Sequence, residues 1–408
     1  MLSGMTSRIK NLIENLGVAI YGIFLPRDKR VVLFGAWMGE KFSDNSRYLF
    51  QYIEKNKDEL GINTVIWATR NQRVCDRLSG MGYKAVLCGT KESKYWHLKS
   101  GVQIICNASN RCGHDADIDI QYSWGAKKIQ LWHGVGMKKV GASANSHQDF
   151  GGSNSLWNKI KRNRLFNMIT SEGGWNEAYF LSTSAINQKV NIELAACSEK
   201  SVFISGYPRN CPCVSIFPEE KEIIDKIKRY RGCILYLPTF RSNGINIVYP
   251  ISYEEVKRFL VDNNFLWIEK PHSASKQTMD AKNCKNVLCL DASFDINVLY
   301  PYVSAVVSDY SSCIFDAVYR HIPTVMYTPD LDEFESGANG LLFDIREYCN
   351  AVLATDERKL IDYLKKIAET SFFDTELVEQ FYSKAKRDFW NNTDYSYDEI
   401  WRDILRLR

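Results

Sequence analysis

The sequence lacks several signatures that would place it in a familiar chemical class. Its charges nearly cancel, since 52 Lys and Arg residues face 48 Asp and Glu residues among 408, and the net charge of +4 is too small to indicate nucleic-acid binding. It contains no GxSxG nucleophile elbow, no Walker lysine loop and no GxGxxG fingerprint. These absences argue against α/β-hydrolase, P-loop and classical dehydrogenase chemistry.

Cysteine is plentiful, but its spacing does not indicate a metal site. There are 12 cysteines, and in the closest pair Cys211 and Cys213 flank one proline, so that no CxxC motif or matched Cys/His quartet exists. Because no secretory signal peptide is evident, we expect a reducing, cytoplasmic compartment in which these thiols stay free. We therefore predict neither a metal ion nor another cofactor.

The N-terminal apolar run is too short to cross a bilayer. Its uninterrupted part, residues 16–25, is about half the length that a membrane span requires. The helical spacing of Leu12, Ile13 and Leu16 predicts an amphipathic helix within residues 1–27. Such a helix either lies on a membrane surface or packs against the body of the protein, and the sequence leaves both alternatives open.

Length and pattern predict an α/β protein with two Rossmann-like domains. A chain of 408 residues exceeds one typical core. Short β-rich apolar runs alternate with helical patterns in both halves, which is typical of parallel sheets covered by helices. We expect a first domain over residues 28–205, a second domain over residues 206–390 that begins at the turn-rich GYPRN, and a closing helix over residues 391–408.

The strand and helix assignments follow from the apolar periodicity, and a polar, Gly/Ser-rich stretch predicts a mobile loop over residues 141–158. Strands are predicted at residues 30–35, 63–69, 83–88, 102–107, 128–132, 201–205, 233–237, 265–269 and 286–290. Helices are predicted at residues 46–56, 357–370, 376–390 and 397–407.

Residues 303–328 predict a phosphate-binding turn. An apolar β-branched run ends in the polar cluster Ser308, Asp309, Tyr310, Ser311 and Ser312, and an apolar-periodic segment follows. Serine and aspartate are preferred where a helix begins, and free N–H groups at such a point attract anions. The carboxyl end of a parallel strand also faces the ligand crevice of α/β proteins. The alternative is an ordinary capped helix without a ligand.

A histidine stands at the end of another predicted strand. His133 follows residues 128–132 and is followed by Gly134, which lets backbone or substrate approach closely, and by Lys138, which adds positive charge. Histidine is the side chain best suited to proton transfer near neutral pH. His133 is therefore a candidate acid or base, although a lone histidine is more often structural.

Two strand ends in the second half carry further polar and cationic residues. Lys270 and His272 follow the strand at residues 265–269, while Thr239 and Arg241 follow the preceding strand. A hydroxyl and a guanidinium group are both suited to phosphate oxygens. Together with the serine cluster, these residues predict a diphosphate pocket that His133 faces from the first domain.

An acidic turn at residues 329–335 contains Asp332 and Glu333. Such a turn could bind a metal, cap the next helix or orient the hydroxyl groups of a ligand. Because crowded carboxylates repel one another and are usually exposed, capping or another structural role is favoured.

Eight motifs follow one another over roughly residues 30–345. They are FSDNSRYLF (42–50), LWHGVGMKKVG (131–141), GYPRN (206–210), YLPTFR (236–241), KPHS (270–273), SDYSSCIFDAV (308–318), PTVMYTPDLDEFE (323–335) and GLLFD (340–344). In this order they resemble the motifs of the CDP-glycerol glycerophosphotransferase family, which comprises teichoic-acid and capsule polyol-phosphate transferases. The combination of SDYSS with DLDEFE and WHG is specific.

The resemblance implies a GT-B-type fold, in which two Rossmann-like domains face a central cleft, and transfer of a polyol phosphate from a CDP-polyol to a hydroxyl of a membrane-linked glycan or polymer, with release of CMP. It makes His133 the general base and His272 the group that stabilises or protonates the leaving phosphate. The implied donor-binding residues are Ser308, Ser311, Ser312, Thr239, Arg241 and Lys270. Further contacts to the polyol or the cleft are expected from Asp316, Asp332, Glu333, Gly134 and Lys138.

The implied partners are a CDP-polyol donor, a lipid-linked glycan or polymer acceptor and the cytoplasmic face of the cell membrane, without nucleic acid. Glycerol phosphate is expected as the transferred group, while ribitol phosphate and another nucleotide-activated group stay open. One alternative is a GT-B glycosyltransferase or sugar-nucleotide epimerase, which would share the diphosphate site. Another is a catalytically silent scaffold of a polysaccharide assembly complex.

Overall fold

The computed structural model describes residues 2–107, 116–137, 163–169, 173–195, 198–239, 249–270, 285–336 and 341–407. Its strands are β1 (Asp28–Phe34), β2 (Thr64–Thr69), β3 (Ala85–Leu87), β4 (Ser100–Ile105), β5 (Lys127–Gln130), β6 (Tyr179–Ser182), β7 (Val202–Ile204), β8 (Gly232–Leu237), β9 (Phe265–Glu269), β10 (Val287–Cys289), β11 (Ala305–Ser308), β12 (Thr324–Tyr327) and β13 (Leu353–Ala354). Its helices are α1 (Leu2–Phe24), α2 (Asp44–Lys55), α3 (Gln72–Gly80), α4 (Lys91–Lys99), α5 (Arg164–Ile169), α6 (Ala185–Ala195), α7 (Pro218–Ile227), α8 (Glu254–Asp262), α9 (Cys313–Tyr319), α10 (Leu331–Ser336), α11 (Ile345–Tyr348), α12 (Glu357–Ala368), α13 (Glu376–Trp390) and α14 (Tyr397–Arg406).

The strands form two parallel sheets with the same internal order. The first sheet runs β3-β2-β1-β4-β5-β6-β7 and the second runs β10-β9-β8-β11-β12-β13. In each sheet the order reverses beside the first strand, between β1 and β4 and between β8 and β11, as in a Rossmann fold. The expected α/β architecture of GT-B type, with two Rossmann-like domains, is confirmed.

The central strands are buried because each lies between two neighbouring strands and because helices cover both faces of the sheet. Every residue of β8 and β9 is buried, and Leu235 pairs with Ile268 on one side and Val306 on the other. Helices cover both faces of such sheets, so their strands need no polar face. The strand ends therefore emerge from rigid cores, which fixes the positions of the loops that follow them.

The last two helices cross back to the first domain. The Thr183 hydroxyl donates to the Phe389 carbonyl oxygen in α13 at 2.6 Å, and the rings of Tyr52 and Tyr397 stack with centroids 4.7 Å apart. The Lys127 ammonium donates to the Ile404 carbonyl oxygen in α14 at 3.3 Å. The two sheets are thus joined by shared buried contacts as well as by the connecting chain.

A helix is present at the N-terminus, as α1. One side packs on the first domain, where the Asn15 amide donates to the Ile169 carbonyl oxygen at 3.0 Å and Ala19 is buried against Trp124. None of the helices in the described ranges is both long and apolar enough to cross a membrane. The other side of α1 exposes large hydrophobic side chains, namely those of Leu12, Ile13, Ile20, Tyr21 and Phe24.

Candidate active site

A cleft of about 690 Å³ lies between the two sheets. Its first wall is formed by residues that follow β1 and β5, and its second wall by residues that follow β8, β9 and β11. The cleft therefore lies at the carboxyl ends of parallel strands, where α/β proteins bind their ligands.

His133 lies half-buried in this cleft with a defined tautomer. Its Nδ1 atom is 3.1 Å from the Cys106 carbonyl oxygen, which can only accept, so Nδ1 carries the proton and donates it. Burial lowers the pKa of His133, and the Asp44 carboxylate opposes that shift. The imidazole is therefore neutral near pH 7, and its Nε2 atom is left as a proton acceptor.

The turn that presents His133 has a left-handed backbone. Trp132 has φ +60°, a conformation that is rare for a bulky side chain. It is held by the Asn45 amide, which donates to the Trp132 carbonyl oxygen at 2.8 Å, and by Gln130 Oε1, which accepts the Trp132 N–H at 3.1 Å. Several hydrogen bonds thus hold the strained turn that aims His133.

The serine cluster divides into buried and cleft-lining members. The Ser308 hydroxyl is buried and donates to the Leu237 carbonyl oxygen at 2.5 Å, whereas Ser311 and Ser312 line the cleft. Ser312 is the N-cap of α9, but its side chain makes no capping hydrogen bond. The capping interpretation therefore fails for Ser312, whose hydroxyl lies beside the cleft.

Asp309 ties the serine cluster to the neighbouring strand end. Both of its carboxylate oxygens accept the Thr239 backbone N–H, at 2.9 and 3.0 Å. Thr239 itself lines the cleft, as does Lys270 at the end of β9. The ends of β8, β9 and β11 thus bring four of the predicted donor positions to one wall, namely Thr239, Lys270, Ser311 and Ser312.

The loop that follows His133 touches the serine cluster. A β-carbon at Gly134 would lie 2.4 Å from the Ser312 hydroxyl oxygen, and the Tyr207 hydroxyl donates to the Gly134 carbonyl oxygen at 3.0 Å. A residue with a side chain at this position would have to displace the Ser312 side chain. The candidate base and the candidate phosphate site therefore share one space between the domains.

A buried ion network lies beneath the cleft. Arg209 is 4% exposed, and its guanidinium group donates to Asp44 Oδ1 at 2.7 Å and to Asp316 Oδ2 at 2.6 Å. It also donates to the His133 carbonyl oxygen at 2.7 Å. Because Asp44 and His133 belong to the first domain and Asp316 to the second, Arg209 links both domains at the base.

Asp316 lines the cleft as well as holding Arg209. Its second oxygen, Oδ1, is buried and has no hydrogen-bond partner among the described residues. Burial raises the pKa of Asp316, although the charge of Arg209 opposes this. Oδ1 is therefore suited to accept a hydrogen bond from a hydroxyl group of a ligand. Contact between Asp316 and a polyol stays a prediction.

A second buried ion pair reinforces the junction. Arg47 donates to Glu220 Oε2 at 2.8 Å and lies 3.5 Å from Asp295 Oδ2, and all three side chains are buried. Asp295 also accepts the Asp44 backbone N–H at 3.3 Å. No role was predicted for Arg47, Asp44 or Arg209, although they stand within the FSDNSRYLF and GYPRN motifs.

The remaining predicted residues lie elsewhere. Asp332 and Glu333 stand in the exposed first turn of α10 and do not line the cleft, and Arg346 pairs with Asp332. Within the described ranges, no group of three or more His, Cys, Asp and Glu residues could hold a metal ion. Three predicted site residues and the predicted loop at 141–158 lie outside the described residues: Lys138, Arg241 and His272.

Comparison with known proteins gives one consistent result. The family model of CDP-glycerol:poly(glycerophosphate) glycerophosphotransferase matches residues 19–391. The teichoic acid poly(glycerol phosphate) polymerase of Bacillus spizizenii is 27% identical over 405 residues, which cover 91% of this chain and 95% of that protein. The teichoic acid glycerol-phosphate transferase of Staphylococcus aureus is 25% identical over 406 residues, covering 92% and 94%.

The fold also matches a solved structure. The wall teichoic acid polymerase TagF superimposes with a TM-score of 0.66 at 19% identity, covering 99% of this chain and 98% of that one. At this identity the likeness extends to the fold, including the arrangement of two Rossmann-like domains around a cleft.

Proposed function

The chain belongs to the CDP-glycerol:poly(glycerophosphate) glycerophosphotransferase family, and from this premise we propose that it transfers glycerol phosphate from CDP-glycerol to a hydroxyl group of a growing surface polymer. The two relatives described above, which match over more than 90% of both chains, are named for glycerol phosphate, whereas the matches to two ribitol-phosphate polymerases cover about half of this chain. This difference favours the glycerol donor over the ribitol donor.

The observation that carries the proposal is the contact between the His133 loop and the Ser312 turn. His133 Nε2 accepts the proton of the acceptor hydroxyl, whose oxygen attacks the phosphorus that bears the polyol. The bond from that phosphorus to the CMP oxygen breaks, and CMP leaves. The hydrogen bond from Nδ1 to the Cys106 carbonyl oxygen stabilises the imidazolium ion that forms.

The second domain supplies the charge stabilisation. In phosphoryl transfer the protein acts mainly by positioning the reactants and by stabilising charge on the phosphate oxygens. Lys270 and the hydroxyl groups of Ser311 and Ser312 line the wall where those oxygens would lie. His272, Arg241 and Lys138 enter the proposal from the resemblance alone.

The proposed acceptor is a polymer linked to the membrane, so we expect the reaction to take place at the cytoplasmic surface of the membrane. The support is the exposed apolar side of α1, where Ile13, Ile20 and Phe24 are 66%, 45% and 80% exposed. Exposed aliphatic and aromatic residues in a row on one helix are suited to the boundary between headgroups and acyl chains.

The experiment that tests the donor is calorimetric titration with CDP-glycerol, CDP-ribitol, UDP-N-acetylglucosamine and CMP. The proposal expects binding of CDP-glycerol and CMP, and transfer of glycerol phosphate in the presence of a polymer acceptor. A preference for the UDP-sugar would instead identify a glycosyltransferase or an epimerase. Absence of binding to all four would favour a scaffold and would overturn the proposal.

A further inference from the structure

Two lysines from different domains face the same cleft. Lys41 follows β1 in the first domain and Lys270 ends β9 in the second, and both line the cavity that contains His133 and Ser312. Of the two, the sequence predicted a role for Lys270 only. Lys41 carries no assigned role and stands one residue before the FSDNSRYLF motif.

Neither ammonium group has an ion-pair partner among the described residues. Lys41 donates to the Ala292 carbonyl oxygen at 2.9 Å and lies 5.3 Å from the centre of the Trp37 ring. The Lys270 ammonium group makes no hydrogen bond to a described residue, whereas its backbone N–H donates to the Tyr236 carbonyl oxygen at 3.1 Å. A lysine ammonium has three donors, and the contacts within the described ranges use one donor of Lys41 and none of Lys270.

The nearby carboxylates are engaged by other groups. Asp44 binds Arg209 at 2.7 Å, and Asp295 accepts the N–H groups of Asp44 and Asn297 at 3.3 and 3.0 Å. Asp291 accepts the Ser293 backbone N–H at 2.7 Å. These three carboxylates face the lysines and attract them electrostatically, but none forms a contact pair with either ammonium group.

Without a ligand, it costs free energy to keep both lysines charged at these positions. Burial lowers the pKa of both, and the positive charge of Lys270 lowers the pKa of Lys41 further, to about 8. Like charges held in a partly buried space disfavour protonation, and an anion between them reverses that effect. Such a pair is suited to an anionic ligand.

We propose that Lys41 and Lys270 form a two-domain phosphate clamp, in which one phosphate-bearing ligand contacts an ammonium group from each wall of the cleft. The identification of the ligand as phosphate rests on the proposed function. The phosphate belongs either to the diphosphate of the donor or to the terminal polyol phosphate of the acceptor. Both sources present the same anionic oxygens.

The clamp connects ligand binding with the candidate base. The Trp37 ring lies beneath Lys41, and its centre is 5.5 Å from the His133 ring. Trp37 Nε1 donates to Asp44 Oδ2 at 3.2 Å. A phosphate bound to Lys41 would therefore lie next to the loop whose Trp37 ring packs against His133.

A purely structural role for Lys41 is testable with a matched control. Lys41 tethers the Ala292 carbonyl oxygen of the second domain, and Lys127 tethers the carbonyl oxygens of Ile404, Leu405 and Leu407 away from the cleft, at 3.3, 3.2 and 2.5 Å. K127M therefore reports the cost of losing a lysine–carbonyl tether alone. K41R keeps the positive charge at the cleft position.

The experiment is calorimetric titration of wild type, K41M, K41R, K270M and K127M with inorganic pyrophosphate, CMP and glycerol 3-phosphate, with thermal unfolding of each variant. We expect K41M and K270M to weaken pyrophosphate binding about 10-fold to 100-fold, the range of a charge-assisted hydrogen bond. K127M should bind as wild type does, and K41R should retain most of the affinity. Wild-type affinity in K41M, with a thermal loss like that of K127M, would overturn the clamp.

The pH dependence adds an independent readout. Because the pKa of Lys41 is about 8 without ligand and rises when an anion binds, wild-type affinity for pyrophosphate should fall as the pH increases from 7.5 to 9.5. K41R should show a smaller fall, since arginine stays protonated. An equal fall in K41R and wild type would contradict the role of Lys41.

The ligands distinguish the two phosphate sources and separate this proposal from the proposed function. Loss of pyrophosphate and CMP binding in K41M assigns the clamp to the donor, whereas selective loss of glycerol 3-phosphate binding assigns it to the acceptor. If pyrophosphate binding depends on Lys41 but the protein does not bind CDP-glycerol, the clamp would be supported and CDP-glycerol would be refuted as the donor.

Discussion

A β-carbon on Gly134 would lie 2.4 Å from the Ser312 hydroxyl oxygen and 3.0 Å from the Ser312 β-carbon. The loop that carries His133 and the turn that carries the donor serines therefore touch across the domain boundary. The close approach of the two loops therefore depends on the absence of a side chain at position 134.

Replacing Gly134 with alanine should impair catalysis more than folding. In G134A the Ser312 side chain must move away from the added β-carbon, and a displacement of about 1 Å at a reacting centre can cost about 100-fold in rate. Steady-state kinetics of glycerol phosphate transfer measure the effect. The matched control is G80A in α3, where an added β-carbon would meet nothing within 4 Å. G134A with wild-type kcat/KM would show that the contact does not set the catalytic geometry.

His133 should produce an acid limb in the pH–rate profile. A base must be deprotonated to act, and burial lowers the pKa of His133 below its ordinary value of 6.5. Activity should therefore persist as the pH falls to 6.5 and be lost below it, and H133N should be inactive at every pH. The measurement is kcat/KM from pH 5 to 9. An acid limb with its midpoint above 6.5 would point to a different base.

Arg209 should be essential for stability. R209M leaves Asp44 and Asp316 buried without their counterion, and breaking a buried ion pair from one side costs about 3–5 kcal/mol. Urea unfolding of R209M and wild type measures the difference in the free energy of unfolding. The control is R387M, because Arg387 is 63% exposed beside Asp388 and an exposed pair contributes about 0–1 kcal/mol. Equal effects of the two substitutions would contradict the network.

Local patterns predicted the parts of the site that lie at strand ends. An apolar run followed by a polar break locates the end of a parallel strand, and the ends of such strands meet at one edge. His133, Ser312 and Lys270 were found in this way. The Arg209 network could not be predicted, because Arg209 is separated from Asp44 by 165 residues and from Asp316 by 107, and no local pattern connects them.

Helix α6 was missed for a different physical reason. Its buried side carries asparagines in place of an apolar stripe, and Asn187 donates to the Thr183 hydroxyl oxygen at 3.0 Å. Asn191 donates to the Ser182 hydroxyl oxygen at 3.2 Å. A helix that is anchored through buried amides shows no apolar period of 3.6 residues, which is the signal that sequence reasoning uses.

Glu269 should make the stability of the protein depend on pH. Burial raises the pKa of Glu269 from 4.5 to about 7, so folding takes up a proton between these values. The free energy of unfolding therefore falls as the pH rises from 4.5 through 7. E269Q removes the penalty and should be more stable than wild type at pH 8, by up to about 3 kcal/mol, but not at pH 4.

Urea unfolding at pH 4 and pH 8 measures this difference for wild type, E269Q and the exposed control E199Q. E199Q should follow wild type at both values. Destabilisation of E269Q at pH 8 would show that the carboxylate has a charged partner in the native protein.

The exposed side of α1 should determine binding to membranes. Ile13, Ile20 and Phe24 leave water if α1 lies in the headgroup region, and burial of such a side chain contributes about 1.5–3 kcal/mol. The triple variant I13S/I20S/F24S should therefore sediment with anionic vesicles at least 10-fold less than wild type. The matched control is V261S/L377S, whose two side chains are 57% and 61% exposed on helices of the second domain. The three substitutions in α1 leave its packed side intact. Equal vesicle binding by the triple variant and wild type would therefore mean that α1 serves only to pack against the first domain.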